Sequence, residues 1–553
     1  MNVILMTRNT PRLTRLVIAC AIVLTSITCI RNANGQTDET LIETTSGQFR
    51  GVIENDVLAW KGVPYAAPPV GALRWRPPQP FAASAETRDS SEFGHACPQT
   101  IPDSRPEWAK EHLRSVGMSE DCLTLNIWRP GQPVGEQLPV MVYFHGSSWK
   151  YASSGWPVWS GDDIASEGVI VVTPNYRLGL LGRFAHPALS SVQSDELLAN
   201  YSLMDAIAAL QWVNDNAEAI GGDPDRITIF GHSAGGVMVN FLMITPQSRG
   251  LFHRAIAQGS AVQLDCSRHL SQRSLPGAAY ASMEDEGVEF AKHVGLSGTF
   301  DEIARALRSL PVETLIEYPP PDLLLNPVID GNLVPGDIAK MFEQGRQHNV
   351  PYMTGVSNWE WNQIDNVPLI AKWFMASSLL EGLNEDDLAI FDDKWTRIGV
   401  SQRWFGEGLF IASTRHLAKE MQSVAAPAWH YHVTYLPESL RSTTPGAPHG
   451  MEVPYLFGHI WEEPAYHRPV EVELNDEDRR FGEIVRSYWL NFARTGNPNG
   501  PGLPDWPQFD TETDYTMDLG PVAQARQALN KETSDFLEER ALIRRSTHAC
   551  GGR

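Results

Sequence analysis

The sequence RITIFGHSAGGVMV, residues 226–239, predicts a strand, a tight corner and a helix. Large and β-branched residues fill positions 226–230, as in a buried strand. Gly231, Ser233 and Gly235 then form the pattern G-x-S-x-G, which puts glycines where a strand and a helix crowd around a strained turn. Such a turn exposes the serine hydroxyl and aims the helix N-terminus at negative charge formed there. Ser233 is therefore a candidate nucleophile, and a packing turn with an incidental serine is the alternative that the pentapeptide leaves open.

Strand-like and helix-like segments alternate along the rest of the chain. Short apolar runs typical of strands occupy residues 139–144, 169–173, 350–356 and 428–435, and helical periodicity occupies 203–212 and 481–493. This alternation predicts an α/β fold with a large, mostly parallel central sheet flanked by helices. Because no repeat or linker-like tract marks a boundary, we expect residues 36–553 to form a single domain with insertions.

The composition is that of an ordinary globular enzyme with an acidic surface. The 553 residues are 42% hydrophobic and 20% charged, and the formal net charge is −22. This charge argues against nucleic acid as a partner. We interpret the acidic excess as a solvated surface, and attraction of cationic substrates is the alternative.

Residues 1–35 have the pattern of a secretory signal peptide. Three arginines precede an apolar run from Leu16 to Ile30, and Ala33-Asn34-Gly35 supplies the small residues of a cleavage site. The 15-residue run is short for a membrane span. We therefore expect a mature chain that begins at Gln36, has no membrane span and is secreted or periplasmic. An uncleaved anchor and lipidation at Cys29 are the alternatives.

Four of the six cysteines lie beyond this segment, at positions 97, 122, 266 and 550. In an exported protein Cys97 and Cys122 are candidates for a disulfide that closes a surface loop, while Cys266 and Cys550 could pair or stay free. No cysteine or histidine spacing is typical of a zinc site, and no phosphate-binding glycine motif is present. The sequence predicts neither a metal nor an organic cofactor.

A base and an acid for Ser233 are expected on loops at the carboxyl ends of strands, where active sites of open α/β sheets lie. Glu360 follows the strand-like run 350–356, and His449 follows the run 428–435. The order serine, acid, histidine is that of α/β-hydrolases. Asp365 competes with Glu360 for the acid, and His430 and His432 compete with His449 but alternate within a predicted strand.

Seven segments in order extend this argument over roughly residues 45–510. They are GVPYAAPPVGALRWRPP (62–78), SEDCLTLNIW (119–128), NYRLG (175–179), GHSAGG (231–236), LFHRAIAQ (251–258), HGMEVPYLFG (449–458) and WLNFARTGNPN (489–499). Together they resemble the type-B carboxylesterase and cholinesterase family of α/β-hydrolases, and in particular its bacterial para-nitrobenzyl-esterase-like members. The resemblance implies an α/β-hydrolase fold with insertions that form a gorge, and hydrolysis of carboxylic esters without a cofactor.

The resemblance also implies roles for individual residues. It makes Ser233 the nucleophile, His449 the general base and then acid, and Glu360 the orienting carboxylate. It places an oxyanion hole at the backbone N–H groups of Gly146, Ser147, Ser148 and Ala234. It further implies a Cys97–Cys122 disulfide and two structural ion pairs, Arg74–Glu120 and Arg177–Asp205.

Three positions depart from the family pattern. Ser147 and Ser148 replace glycines and lack glycine's freedom at positive φ. His232 stands where cholinesterases have a glutamate, which counts against choline esters, and we expect it to be bonded to neighbouring backbone. Gly259-Ser260 reverses the family's Ser-Gly, which removes a hydroxyl near the triad.

The sequence therefore predicts an exported serine carboxylesterase acting on a small-molecule ester, of unspecified oligomeric state. The loop between Cys97 and Cys122, with Trp108, is expected to rim the gorge, and Trp149, Trp359 and Trp361 predict an aromatic-lined pocket. A non-catalytic binding protein is one alternative, which the intact serine, glutamate and histidine oppose. A lipase for long acyl chains is another, but the largely charged segment 104–120 favours short or polar acyl groups.

Overall fold

The computed structural model describes residues 38–547 apart from eleven gaps, which are 104, 132–134, 263, 265–266, 272–280, 319–325, 361, 363–386, 388–389, 391–396 and 460–474. The predicted signal peptide lies outside the described residues, as do Asp365, Trp361, Cys266 and Cys550.

The described residues form strands and helices in alternation. The strands are β1 Leu41–Thr44, β2 Gly47–Arg50, β3 Val52–Glu54, β4 Val57–Pro64, β5 Ser84–Asp89, β6 Thr124–Pro130, β7 Leu138–Phe144, β8 Ile170–Pro174, β9 Gly222–His232, β10 Arg254–Gln258, β11 Tyr352–Ser357, β12 Ala428–Val433, β13 Tyr515–Leu519 and β14 Gln524–Gln527. The α-helices are α1 Glu107–Val116, α2 Asp162–Ser166, α3 Gly179–Gly182, α4 Pro187–Val192, α5 Tyr201–Asn216, α6 Ala234–Ile244, α7 Met283–His293, α8 Phe300–Arg308, α9 Val312–Ile316, α10 Ile338–Glu343, α11 Arg397–Gly406, α12 Ser413–Glu420, α13 Glu452–Phe457, α14 Asp476–Thr495 and α15 Lys531–Thr547. A π-helical turn, Glu407–Ala412, joins α11 to α12.

Eleven strands form one mixed sheet in the order β14-β13-β12-β11-β10-β9-β7-β8-β6-β4-β3. The central strands from β8 through β7, β9, β10, β11 and β12 to β13 pair in parallel. Antiparallel pairs close both edges of the sheet. A separate three-stranded sheet contains β1, β2 and β5. The α/β prediction with a mostly parallel sheet is confirmed.

The central strands are buried on both faces, which explains their mainly apolar sequences. Every residue of β7, β8, β11 and β12 is buried. Alternate residues of β7 face opposite layers, so that Val140 and Val142 pack with helices α5 and α6 while Met141 and Tyr143 pack with α13 and α14. Parallel strands in this arrangement direct their carboxyl ends to the same edge of the sheet, where the candidate site residues follow β7, β9, β11 and β12.

The segments predicted from sequence coincide with elements of the fold, with shifted ends. The helical run 203–212 lies inside α5, and the run 481–493 lies inside α14. Helix α1 was not predicted, because its sequence between two prolines and a glycine is short and highly charged. The Cys97–Cys122 disulfide and the Arg74–Glu120 ion pair are present. No helix in the described part of the chain combines the length and apolar character needed to cross a membrane.

The second predicted ion pair is buried and joins Arg177, which follows β8, to Asp205 on helix α5. The Asp205 carboxylate accepts from Arg177 Nε at 2.8 Å, from Nη2 at 2.7 Å and from the Arg177 backbone N–H at 3.0 Å. The two side chains are 4% and 0% exposed. Removing one charge of such a pair leaves the other buried without compensation.

We predict that Asp205→Ala lowers the free energy of unfolding by about 3–5 kcal/mol, because the Arg177 guanidinium loses its buried counter-charge. Urea denaturation followed by tryptophan fluorescence measures the change. Asp215→Ala, an exposed site near the end of the same helix, is the matched control and should change the value by no more than about 0.5 kcal/mol. Equal midpoints for Asp205→Ala and the parent protein would show that the pair contributes no stability.

Candidate active site

Ser233 occupies a strained turn between strand β9 and helix α6. Its backbone has φ 58° and ψ −123°, a conformation that residues other than glycine rarely adopt. The turn is possible because both flanking glycines lack a Cβ atom: one on Gly235 would overlap the Phe144 carbonyl, and one on Gly231 would lie 2.5 Å from the Gly235 oxygen. The Ser233 backbone N–H donates to the Gln258 carbonyl at 2.9 Å, which anchors the turn to β10.

Residues 146–149 follow strand β7 and lie against this turn. A Cβ atom on Gly146 would be 3.0 Å from the Cβ atom of Ser233, so the loop passes directly beside the serine. Ser147, Ser148 and Trp149 all adopt positive φ, at 76°, 54° and 64°. The loop therefore keeps a left-handed backbone in spite of its serines, at a conformational cost of about 1–3 kcal/mol per residue.

Contacts on both sides hold this loop. Tyr176 donates its hydroxyl proton to the carbonyl of His145 at 2.6 Å and stacks on the His145 ring at 4.4 Å between centroids. Trp149 donates its indole N–H to Asn326 Oδ1 at 3.1 Å, and its carbonyl accepts from the Gly179 N–H at 2.8 Å. Ala234, the fourth predicted donor, is the first residue of α6 and is buried.

Glu360 and His449 are joined by a short, buried hydrogen bond. Glu360 Oε2 lies 2.5 Å from His449 Nδ1, and Glu360 Oε1 accepts from the Ser357 backbone N–H at 2.8 Å. The two side chains are 0% and 1% exposed. A carboxylate on Nδ1 holds the imidazole in the tautomer that leaves Nε2 able to accept a proton.

Hydrogen bonds donated by backbone N–H groups tie the loop that carries Glu360 to the loop that carries His449. The Trp359 N–H donates to the Ala447 carbonyl at 3.0 Å, and the Ala447 N–H donates to Asn358 Oδ1 at 2.6 Å. The His449 N–H donates to Asn362 Oδ1 at 3.4 Å. These bonds bring together two residues that are 89 positions apart in the sequence. Sequence reasoning missed both asparagines, whose role depends on a contact between distant loops.

Burial dominates the electrostatics of the pair. It raises the pKa of the Glu360 carboxyl, which the Ser357 N–H partly opposes. It also lowers the pKa of the His449 imidazole, and the positive charge of Arg105 lowers it further. His449 is therefore held neutral, the form required of a general base.

Two rings confine the His449 imidazole. His232 lies with its ring centroid 4.4 Å away at an interplanar angle of 46°, and Phe410 approaches edge-on at 5.2 Å. Because His232 directly precedes Ser233, the first contact brings His449 to the serine turn. Phe410 lies on the π-helical turn Glu407–Ala412, and no periodicity in the sequence predicts this turn.

The loop between Cys97 and Cys122 packs against the segment that follows the 146–149 loop. Gln99 exchanges two hydrogen bonds with the Ala152 backbone, at 2.7 and 2.9 Å. Arg105 donates to the Tyr151 hydroxyl and lies 5.0 Å from the centre of that ring. These contacts place the loop beside residues 151 and 152, and its position at the rim of a gorge stays a prediction.

The two histidines that compete with His449 for the role of base lie within a strand, as the sequence predicts. His430 and His432 are buried in β12, and His430 Nδ1 is 2.9 Å from Thr516 Oγ1. The Ser260 hydroxyl accepts a hydrogen bond from Asn240 at 3.0 Å and therefore points towards helix α6.

Of the tryptophans expected around the pocket, Trp149 is buried and Trp359 is half-buried. Within the described ranges, no cluster of three or more His, Cys, Asp or Glu side chains could hold a metal ion.

The eleven-stranded sheet, with a serine at the turn after its central strand, defines an α/β-hydrolase. A sequence profile described as "Carboxylesterase family" matches residues 38–537. The chain belongs to the carboxylesterase family, and it is a carboxylic ester hydrolase.

Similar proteins cover nearly the whole chain. Fumonisin B1 esterase of Sphingopyxis macrogoltabida is 32% identical over 492 residues, which are 86% of this chain and 86% of that protein. Para-nitrobenzyl esterase of Bacillus subtilis (strain 168) is 29% identical over 512 residues, 88% of this chain and 98% of that protein. The solved structure of a thermophilic PNB esterase superposes with a TM-score of 0.77 at 29% identity, and the match covers 90% of this chain and 100% of that one.

Proposed function

We propose that the chain is an exported serine carboxylesterase whose nucleophile, base and orienting acid are Ser233, His449 and Glu360. The observation that carries this proposal is the buried 2.5 Å hydrogen bond between Glu360 and His449, beside a serine on a strained turn. A serine hydroxyl is a poor nucleophile until an imidazole takes its proton, and this imidazole is held neutral by burial.

The reaction follows from these positions in two halves. Ser233 attacks the ester carbonyl while His449 takes the hydroxyl proton, and the resulting oxyanion is held by N–H groups of Gly146, Ser147, Ser148 and Ala234. His449 then gives its proton to the leaving alcohol, which leaves an acyl-serine. Water loses a proton to His449 and attacks the acyl group, and the acid leaves as Ser233 regains its proton.

Small esters with short or polar acyl groups are the proposed substrates. Helix α1 at the rim buries Ala109 and Leu113 and exposes a charged face, which gives no broad apolar cover for a long acyl chain. The names of two relatives refer to esterases of fumonisin B1 and of para-nitrobenzyl compounds. Family membership supports catalysis over a binding role.

We predict that Ser233→Ala lowers kcat for p-nitrophenyl acetate by about four to six orders of magnitude, because the acyl-serine can no longer form. Time-resolved release of p-nitrophenol measures the rate, and a series of longer acyl esters measures chain-length preference.

Ser260→Ala is the matched control, since Ser260 is a buried serine after the neighbouring strand whose hydroxyl bonds to Asn240. It should keep kcat within a few-fold of the parent. Parent-like turnover in Ser233→Ala would refute the assignment of the nucleophile, and a maximum rate at long chains would favour a lipase.

We predict that kcat/KM rises with pH along one acid limb and levels off at alkaline pH. Both Glu360 and His449 must be deprotonated to work, and burial raises the pKa of Glu360, which places the limb above the ordinary range of a carboxylic acid. Glu360→Gln should lower kcat by about two to four orders of magnitude and move the limb to lower pH, since the imidazole loses the anion that favours its protonation. An unchanged limb in Glu360→Gln would mean that this carboxyl does not titrate with the base.

Export and a single catalytic domain over residues 36–553 complete the proposal. Basic and apolar residues before Gln36, together with the Cys97–Cys122 disulfide, support export to an oxidising compartment. A single sheet that runs from β3 to β14 supports one domain. We predict that the protein recovered outside the cytoplasm begins at Gln36, as measured by the mass of its N-terminal peptide. An intact N-terminus in that fraction would contradict cleavage.

A further inference from the structure

His232 contacts the candidate base directly, although the reaction just described gives it no role. It ends strand β9, its side chain is buried, and its ring lies 4.4 Å from the His449 ring between centroids. Among the described residues its Nε2 atom has no hydrogen-bond partner. Hydrogen bonding therefore does not explain the position of Nε2, while the ring packs against the imidazole of His449.

Two glycines with left-handed backbones make room for the paired rings. A Cβ atom on Gly259 would lie 3.0 Å from His232 Nε2 and 3.1 Å from His449 Cε1. A Cβ atom on Gly450 would lie 2.6 Å from His232 Cε1, and its three nearest atoms all belong to the His232 ring. The backbone around His232 thus fits closely to an imidazole, and a side chain at either glycine would push this ring.

The charge state of His232 suits a neighbour that becomes a cation. Burial lowers its pKa well below the ordinary histidine value, and a charge on His449 lowers it further. When His449 takes the serine proton, the adjacent ring is neutral and adds no like charge. The other titratable groups near the pair are Glu360 on Nδ1 of His449, Arg105 from the rim loop, and Glu452, whose carboxyl is bonded to Tyr431 at 2.9 Å.

We infer that His232 is a positioning residue that acts through His449, packing against its imidazole so that Nδ1 stays on Glu360 while the ring stays at the serine turn. The inference rests on the proposed role of His449 as the base. His232 holds one side of the imidazole, and Phe410 holds another. Neither ring exchanges a proton with the substrate.

The test compares His232→Ala, which removes the ring, with His232→Phe, which keeps an aromatic ring and removes both nitrogens. His232→Ala should lower kcat for p-nitrophenyl acetate about 10-fold with KM within about 2-fold, because a base that can tilt spends less time in the reactive geometry. Its acid limb should move to lower pH, because water that reaches the Glu360–His449 pair relieves the burial that raises the pKa of the Glu360 carboxyl. His232→Phe should recover kcat to within about 3-fold of the parent.

His348→Ala is the matched control, a buried histidine bonded to Ser248 at 3.1 Å and to the Thr245 carbonyl at 3.0 Å, away from the triad. It should leave kcat and the acid limb at their parent values once folding is verified by circular dichroism. Parent-like kcat and acid limb in folded His232→Ala would overturn the inference, as would a His232→Phe variant that folds but is as slow as His232→Ala.

A second variant tests the same contact from the opposite side. Gly450→Ala should lower kcat, because its methyl group meets the His232 ring. In the His232→Ala background, Gly450→Ala should lower kcat by a smaller factor than it does in the parent protein, because the ring that its methyl group meets is gone. If Gly450→Ala lowers kcat by the same factor in both backgrounds, the two residues act independently and the contact is contradicted. Failure of the proposed function can be told apart from failure of this inference, because in the first case the Ser233→Ala variant still hydrolyses the ester.

Discussion

The close approach of strand β9, helix α6 and strand β7 at Ser233 is the constraint on which the rest of the site depends. Gly235 passes so near the Phe144 carbonyl that a methyl group there would overlap it, and Gly231 meets the Gly235 backbone in the same way. This packing forces Ser233 into a conformation that it would not adopt alone. It also sets the distance between the serine and the loop after β7. The strain is sustained because strand β7, helix α6 and residues 227–232 of β9, which surround the turn, are buried.

The candidate acid and the candidate base are positioned by a different means. Glu360 and His449 belong to irregular loops after β11 and β12, and loops have few internal bonds to fix their shape. Here the Trp359 N–H donates to the Ala447 carbonyl and the Ala447 N–H donates to Asn358 Oδ1, and these bonds join the two loops. The carboxylate and the imidazole consequently meet at 2.5 Å in a space closed to solvent. Burial raises the pKa of one and lowers that of the other, because it disfavours either charge.

The residues that depart from the family pattern preserve the backbone of the loop after β7 but change the side chains near Ser233 and His449. Ser147 and Ser148 adopt the backbone that glycine would, which shows that the neighbouring contacts of Trp149 and His145 outweigh the local preference of serine. His232 adds a neutral ring beside His449 in place of a carboxylate. The imidazole of His449, the candidate base, is confined by this ring and by Phe410.

The sequence by itself determined the alternation of strands and helices, the serine turn, and the order of serine, acid and histidine, since these depend on local periodicity and glycine spacing. Cys97 and Cys122 were disulfide candidates from the sequence and from the resemblance, the two ion pairs came from the resemblance alone, and all three contacts were confirmed. Only the tertiary structure shows the pairing of the Glu360 and His449 loops, the contacts of Phe410 and His232 with the His449 ring, and the contact of Arg105 with Tyr151. Each of these contacts joins residues far apart in the chain or involves the π-helical turn. Contacts between distant residues produce no local periodic pattern from which they could be predicted.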